Sequence, residues 1–103
     1  MYTTDFTAWW AAYPRKAAKR KAFACWQIAV REIANEQGTT HDAAATWLLE
    51  RTRLFATSDK GRSGEFCPYP TTWLHQGRYD DDIDEWGKKQ RPTMEFDAKE
   101  WRP

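Results

Sequence analysis

Large rings recur at the start of this chain with helical spacing: Phe6, Trp9, Trp10 and Tyr13. Residues three and four apart return to the same side of a 3.6-residue helix. The four rings therefore make one broad aromatic face, and a face of that size folds only by finding cover. Pro14 follows at once, and proline disfavours helical geometry at the residue before it. The spacing predicts a first helix over residues 4–13, capped by Thr3 or Thr4, with Asp5 suited to the positive N-terminal end.

The same argument extends along the chain. Residues 15–36 contain no Pro or Gly and repeat Ala, which predicts a second and longer helix. Pro14 is suited to its first position. Ala18, Ala22, Cys25, Trp26, Ala29 and Ile33 share one face, widened by Phe23 and Val30, and Gly38 is the expected stop. A third helix is predicted over residues 40–57. Thr40 is its cap, and Ala44, Trp47, Leu48, Arg51, Leu54 and Phe55 repeat at three and four. Residues 58–68 hold two Gly and a Pro and read as a mobile connection. A short helix follows at 71–76 with Thr71 or Thr72 as cap. Residues 79–87 suit one further acidic turn carrying Tyr79, Ile83 and Trp86. Residues 88–103 lack periodicity and are expected to form an irregular tail, whose Phe96 and Trp101 either clip back onto the body or await a partner. There is no internal repeat and no convincing strand. The expected fold is all-α: a small single-domain bundle of three main helices plus a short C-terminal helix, spanning residues 1–87.

With 103 residues there is room for one domain and a modest core. Aromatic residues are 16% of the chain, seven of them Trp, so flat rings must supply much of the buried area. Phe6, Trp9 and Trp26 are expected in the core. Trp73 and Leu74 are expected there too, pinned by the turn at Pro70, with His75 and Arg78 facing the other way. Cys25 and Cys67 make no disulfide framework. Cys25 is expected to fill core, and the exposure of Cys67 in its loop is left open. Neither thiol stands at metal-ligand spacing from His41 or His75. No segment is apolar enough to cross a membrane and nothing resembles a signal peptide, so a cytoplasmic setting without membrane partners is expected.

Charge is the best functional lead. The net charge is +1, but residues 1–78 carry eleven Lys/Arg against seven Asp/Glu, and residues 79–103 carry five against eight. Arg15, Lys16, Lys19, Arg20 and Lys21 put five positive charges into seven residues without an acid among them. Such a run creates a local field that attracts phosphates. Tyr13 and Trp10 lie beside it and are candidates to stack on bases. Trp10, His75, Arg78 and Tyr79 are candidate contacts for a protein partner. Asp80, Asp81, Asp82 and Asp84 read as a solvated or partner-facing edge, because the Gly and Glu of a calcium loop are not at the required spacing. Neither His stands in a recognisable nucleophile setting, and there is no Gly-rich phosphate loop. The residues point away from catalysis and from any cofactor.

Two signatures together carry a family resemblance. The first is Phe6-x-x-Trp9-Trp10-x-x-Tyr13-Pro14-Arg15-Lys16-x-x-Lys19, then Ala22-x-x-x-Trp26. The second is Pro70-x-Thr72-Trp73-Leu74, followed by Arg78-Tyr79-x-Asp81. Over about residues 5–82 the chain resembles a small domain of phage and prophage replication proteins, the C-terminal module of replisome organisers and initiators. More remotely it is similar to the DnaD-like helical domain of primosome proteins. The resemblance implies contact with DNA, single- or double-stranded and without sequence preference, and with a replication protein such as the helicase. Members of that family carry the module behind a DNA-binding domain, whereas here the pattern opens at residue 5. That difference suggests an accessory factor, a helicase-loading adaptor or an inhibitor that mimics one. The expected function is thus a phage-type DNA replication accessory module. The alternative is a mobile-element factor that binds or inhibits a host protein without touching DNA.

Overall fold

The computed structural model describes residues 2–81 and Trp86. Four α-helices are present among them: α1 (Thr4–Ala12), α2 (Lys19–Gln37), α3 (His41–Thr57) and α4 (Pro70–His75). Two 3₁₀ turns flank α4, at Gly64–Phe66 and Arg78–Asp80, and there is no strand among the described residues. The fold is the small all-α arrangement expected. The expected turn over 79–87 falls partly, and the tail over 88–103 wholly, outside the described residues, as do Ile83, Phe96 and Trp101.

The caps follow from local chemistry. Thr3 accepts a hydrogen bond from the Phe6 N–H at 3.2 Å, and Thr40 accepts one from the Ala43 N–H at 3.1 Å. Each satisfies one amide that its helix leaves open. Helix α2 ends at Gly38, whose backbone is left-handed at φ 63°. That geometry costs Gly little, and it lets the Thr39 N–H reach the Ala34 carbonyl at 2.9 Å. Helix α4 has no side-chain cap. Pro70 occupies its first position instead, where a missing N–H loses nothing. Neither Thr71 nor Thr72 serves as the expected cap.

The second helix starts four residues later than its composition suggests. Tyr13 is extended, residues 14–18 are non-helical, and Ala18 is left-handed at φ 53°. This is the one non-Gly residue with positive φ among those described, a conformation that costs an alanine about 1–2 kcal/mol. Pro14 therefore ends α1 without starting α2, and Ala18 lies exposed rather than on the buried face. The reason is tertiary: the side chains of residues 13, 15 and 16 are held elsewhere, as described below.

Helix α3 packs against both α1 and α2, and α2 also carries α4. The rings meet where these elements converge. Phe6, Trp9, Tyr13, Phe55, Trp73 and Trp86 are all within 1% of full burial. Ring centroids run from Trp9 to Tyr13 at 5.3 Å, Tyr13 to Phe55 at 5.8 Å, Phe55 to Trp73 at 5.1 Å and Phe55 to Trp86 at 5.4 Å. Aromatic pairs at these separations are attractive beyond the area they bury. The Trp9 indole donates to Thr52 Oγ1 at 2.7 Å, and Thr52 donates to the Leu48 carbonyl at 2.8 Å. The indoles of Trp26, Trp73 and Trp86 have no hydrogen-bond partner among the described residues.

Arg51 explains why a cation stands in the apolar repeat of α3. Its Nε donates to the Tyr79 carbonyl at 2.8 Å and its guanidinium also donates to the Asp81 carbonyl. It lies over the Trp86 ring at 4.8 Å and the Trp47 ring at 5.7 Å. Arg51 thus ties the segment after α4 to the bundle. Leu54, expected on the buried face, is 45% exposed. Gly61 is buried against the end of α3, where an added Cβ would stand 2.0 Å from the Phe55 carbonyl oxygen.

Two substitutions test this packing. Thr52→Val keeps the volume but orphans the Trp9 indole, and should lower the unfolding free energy by about 1–3 kcal/mol in urea titration. Gly61→Ala should destabilise by about 1–3 kcal/mol through overpacking against backbone, read as a fall in the thermal midpoint.

Candidate nucleic-acid interface

The corner between α1 and α2 lies against the loop that leads into α4. Tyr13 is the hinge of this contact. Its hydroxyl donates to the Pro68 carbonyl at 2.7 Å, and its ring packs on Trp73 at 5.6 Å. It is fully buried. The expectation that Tyr13 stacks on a base is therefore corrected: the ring is part of the core. Burial pushes its phenol far above the ordinary range, and the neighbouring Cys67 adds to the effect. Cys67 is itself buried, and burial raises its thiol despite the nearby Tyr13, Arg15 and Lys60 groups, which act the other way.

Arg15 stands next to this hinge. One guanidinium nitrogen donates to the Glu65 carbonyl at 2.7 Å and the Cys67 carbonyl at 2.9 Å. The other donates to the Tyr69 hydroxyl at 3.2 Å, and the group lies 4.1 Å from the centre of the Tyr69 ring. Lys16 donates to the Tyr13 carbonyl at 2.7 Å and the Ala11 carbonyl at 3.3 Å, closing the C-terminal end of α1. Lys19 lies over the rings of Tyr2 at 4.8 Å and Trp10 at 5.8 Å. Arg20 and Lys21 are exposed on the first turn of α2.

The five cations thus divide by use. Arg15 is half-buried and serves as a structural clamp, not the open phosphate contact expected of it. Lys16 and Lys19 are placed by local contacts yet remain exposed. Arg20 and Lys21 face solvent. None of the five is ion-paired to a carboxylate among the described residues; the ion pair found there joins Arg78 to Asp81 at 3.2 Å. No carboxylate among the described residues therefore cancels the positive field of the run at contact distance.

The four expected partner contacts do not gather into one surface. Tyr79 is buried, with its ring 5.9 Å from Trp73 and 6.2 Å from Trp47, so it is a core residue. Burial raises its phenol, with Glu32, Asp80 and Glu36 adding to the effect. Arg78 is half-buried and answered by Asp81. Trp10 is half-buried against Phe6 at 6.1 Å. His75 is exposed and lines a groove of about 500 Å³ between α2 and α4, with Lys21, Cys25, Thr71, Thr72 and Gln76. Cys25 is half-buried, packed against the core as expected and also lining this groove.

Two exposed aromatics had no role in the sequence reading. Phe66 is 72% exposed and Tyr69 is 49% exposed, and both belong to the loop that Arg15 clamps. The signal of Phe66 in the sequence is faint: a ring between Gly64 and Pro68 lies on no helical face and has no period to read. Among the described residues no three His, Cys, Asp or Glu side chains group as metal ligands would, and no helix is long and apolar enough to cross a membrane.

A family model described as the Legionella vir region protein LvrA C-terminal domain matches residues 1–77. The chain belongs to this family. No curated protein and no solved structure matches it. The span matched by the LvrA C-terminal domain model holds all four helices, the cationic run and the clamped loop.

Three buried acids carry a pH prediction. Cys67, Tyr13 and Tyr79 all have folded pKa values above their ordinary ones. Their contribution to stability is complete below the unfolded values and is lost as pH rises through the folded ones. The urea midpoint should hold steady to about pH 8.5 and fall steadily above it, as thiol and then phenols ionise more readily in the unfolded chain. Cys67→Ser should remove the earliest part of that fall.

Proposed function

We propose that this chain is a non-catalytic, nucleic-acid-binding accessory module of a replication system, the role its resemblance to phage replication modules implies. The observation that carries the reading is the exposed cationic turn at the start of α2. Lys16, Lys19, Arg20 and Lys21 stand exposed, without carboxylate partners among the described residues. Unpaired cations packed this closely repel one another, and a polyanion relieves that repulsion while releasing its condensed counterions. Lys16 and Lys19 are held by contacts within the corner without the ligand, so these two need little ordering on binding. The mechanism is placement: phosphates are held on one side while a protein partner is met on another, and no bond is made or broken. The family match is compatible with this reading and is silent on chemistry, since its description names a protein of the Legionella vir region and no ligand.

A second reading is favoured by the groove between α2 and α4. It combines the small floor of Ala24 with Cys25, Thr71, Thr72 and His75. Such a surface suits a protein segment, as in a factor that binds or inhibits a host protein without DNA.

The two readings separate in one experiment. The double substitution Arg20→Glu with Lys21→Glu removes exposed charges with no core contact. It should leave helicity unchanged, weaken binding of labelled DNA at least tenfold, and flatten the dependence of log K on log salt by about one unit per lost phosphate contact. DNA binding that is absent in the unmodified chain, or unchanged in this variant, rejects nucleic-acid binding by the run and leaves the groove as the working surface.

A further inference from the structure

The loop that Arg15 holds presents its rings outward. Phe66 is 72% exposed, the largest exposure among the large apolar side chains described, and Tyr69 is 49% exposed. Single exposed apolar residues are common on proteins, so exposure alone says little. What distinguishes this pair is how it is held. Arg15 donates to the carbonyls on either side of Phe66, those of Glu65 and Cys67, and lies 4.1 Å from the centre of the Tyr69 ring while bonding its hydroxyl as well. Tyr13 fixes the next carbonyl, that of Pro68. The Cys67 amide closes the 3₁₀ turn onto the Gly64 carbonyl at 3.0 Å. Backbone on both sides of Phe66 is thus anchored, and its ring stands out from a fixed base with no ring contact of its own among the described residues.

The surroundings are cationic. Arg15 and Lys60 are close enough to Cys67 to oppose part of the rise that burial gives its thiol, and Lys16 follows Arg15 along the exposed corner. Glu65 and Asp59 are the acids of the same loop and Lys60 and Arg62 its bases, so the added charge comes from the corner. Exposed rings on an anchored loop beside cations are the arrangement that accepts a single nucleic-acid strand: the cations track the phosphates and each ring takes a base on its face. A duplex keeps its bases stacked inside and offers such rings nothing.

We propose that Phe66 and Tyr69 form a base-stacking platform, and that the ligand of the cationic corner is single-stranded nucleic acid. The inference rests on the preceding reading that the corner binds nucleic acid, and adds to it the form of the strand and the residues that select it. Sugar type is left to the two polymers used as probes, because stacking and phosphate contact are common to both.

Fluorescence anisotropy with labelled oligothymidylate, oligouridylate and a blunt hairpin duplex tests it, using the full chain, Phe66→Ala, Tyr69→Ala, and Arg20→Glu with Lys21→Glu. Phe66→Ala is the cleaner variant, since so exposed a side chain is not needed for folding; Phe66→Trp keeps a ring in the same place. The expected result is tighter binding of the single strands than of the duplex. Phe66→Ala should lose fivefold or more on the single strands and almost nothing on the duplex, with Phe66→Trp restoring it. Equal binding of strand and duplex, or Phe66→Ala and Tyr69→Ala both at unaltered single-strand affinity while the charge variant is impaired, overturns the platform and leaves nucleic-acid binding standing. No binding of any of the three probes by the unmodified chain overturns both. A protein ligand is the reading that outcome would favour.

Discussion

The contact of the α1–α2 corner with the loop before α4 is the constraint on which the rest of the molecule depends. Tyr13 and Arg15 reach it from one side, and the carbonyls of Glu65, Cys67 and Pro68 receive them from the other. None of these carbonyls belongs to an α-helix, and that of the buried Cys67 would be costly to leave without a partner. A phenol and a guanidinium satisfy them across sequence separations of 50 to 55 residues. Because the contact is made of fixed hydrogen bonds under a fully buried ring, it also decides where α2 can begin. Residues 13–16 are committed to it or to the end of α1, so helical geometry resumes only at Lys19.

The two aromatic signatures of the sequence are the two sides of that one contact. Trp9 and Tyr13 from the first meet Trp73 and Pro68 from around the second, with Phe55 of α3 between them. Their joint occurrence is therefore a requirement of the fold before it is one of any ligand. This bears on the resemblance to replication modules. Most of the residues that carry it, among them Phe6, Trp9, Tyr13, Trp26, Trp73, Leu74 and Tyr79, are buried. Residues of the core report how this chain packs, and function is argued from what stays outside.

What stays outside is a set of cations that the protein sorts by task. Arg51 and Arg15 donate to backbone and cover rings, Lys16 closes a helix end, and Lys19 sits over Tyr2 and Trp10. Arg20 and Lys21 remain exposed. Arg suits the first kind of work because its planar fork satisfies several acceptors while stacking on a ring. The same loop that Arg15 fastens carries Phe66 and Tyr69 into solvent, so the clamp both holds the fold and sets the shape of the surface beside the free charges.

The sequence alone determined the helices and much of the core. Ring spacing in α1, Ala periodicity in α2, the Thr40 cap and the Gly38 stop are local properties, readable because a helix repeats every few residues and its ends need particular atoms. The all-α class followed, and so did the burial of Phe6, Trp9, Trp26, Trp73 and Leu74. Tertiary structure decided the fate of each residue that acts across distance. Tyr13 and Tyr79 went inward because loops and helices far along the chain closed over them, Arg15 was drawn from solvent by carbonyls fifty residues away, and Phe66 was left outside by a loop with no period to read. A side chain's exposure is set by what folds back upon it, and no local pattern encodes which distant segment that will be.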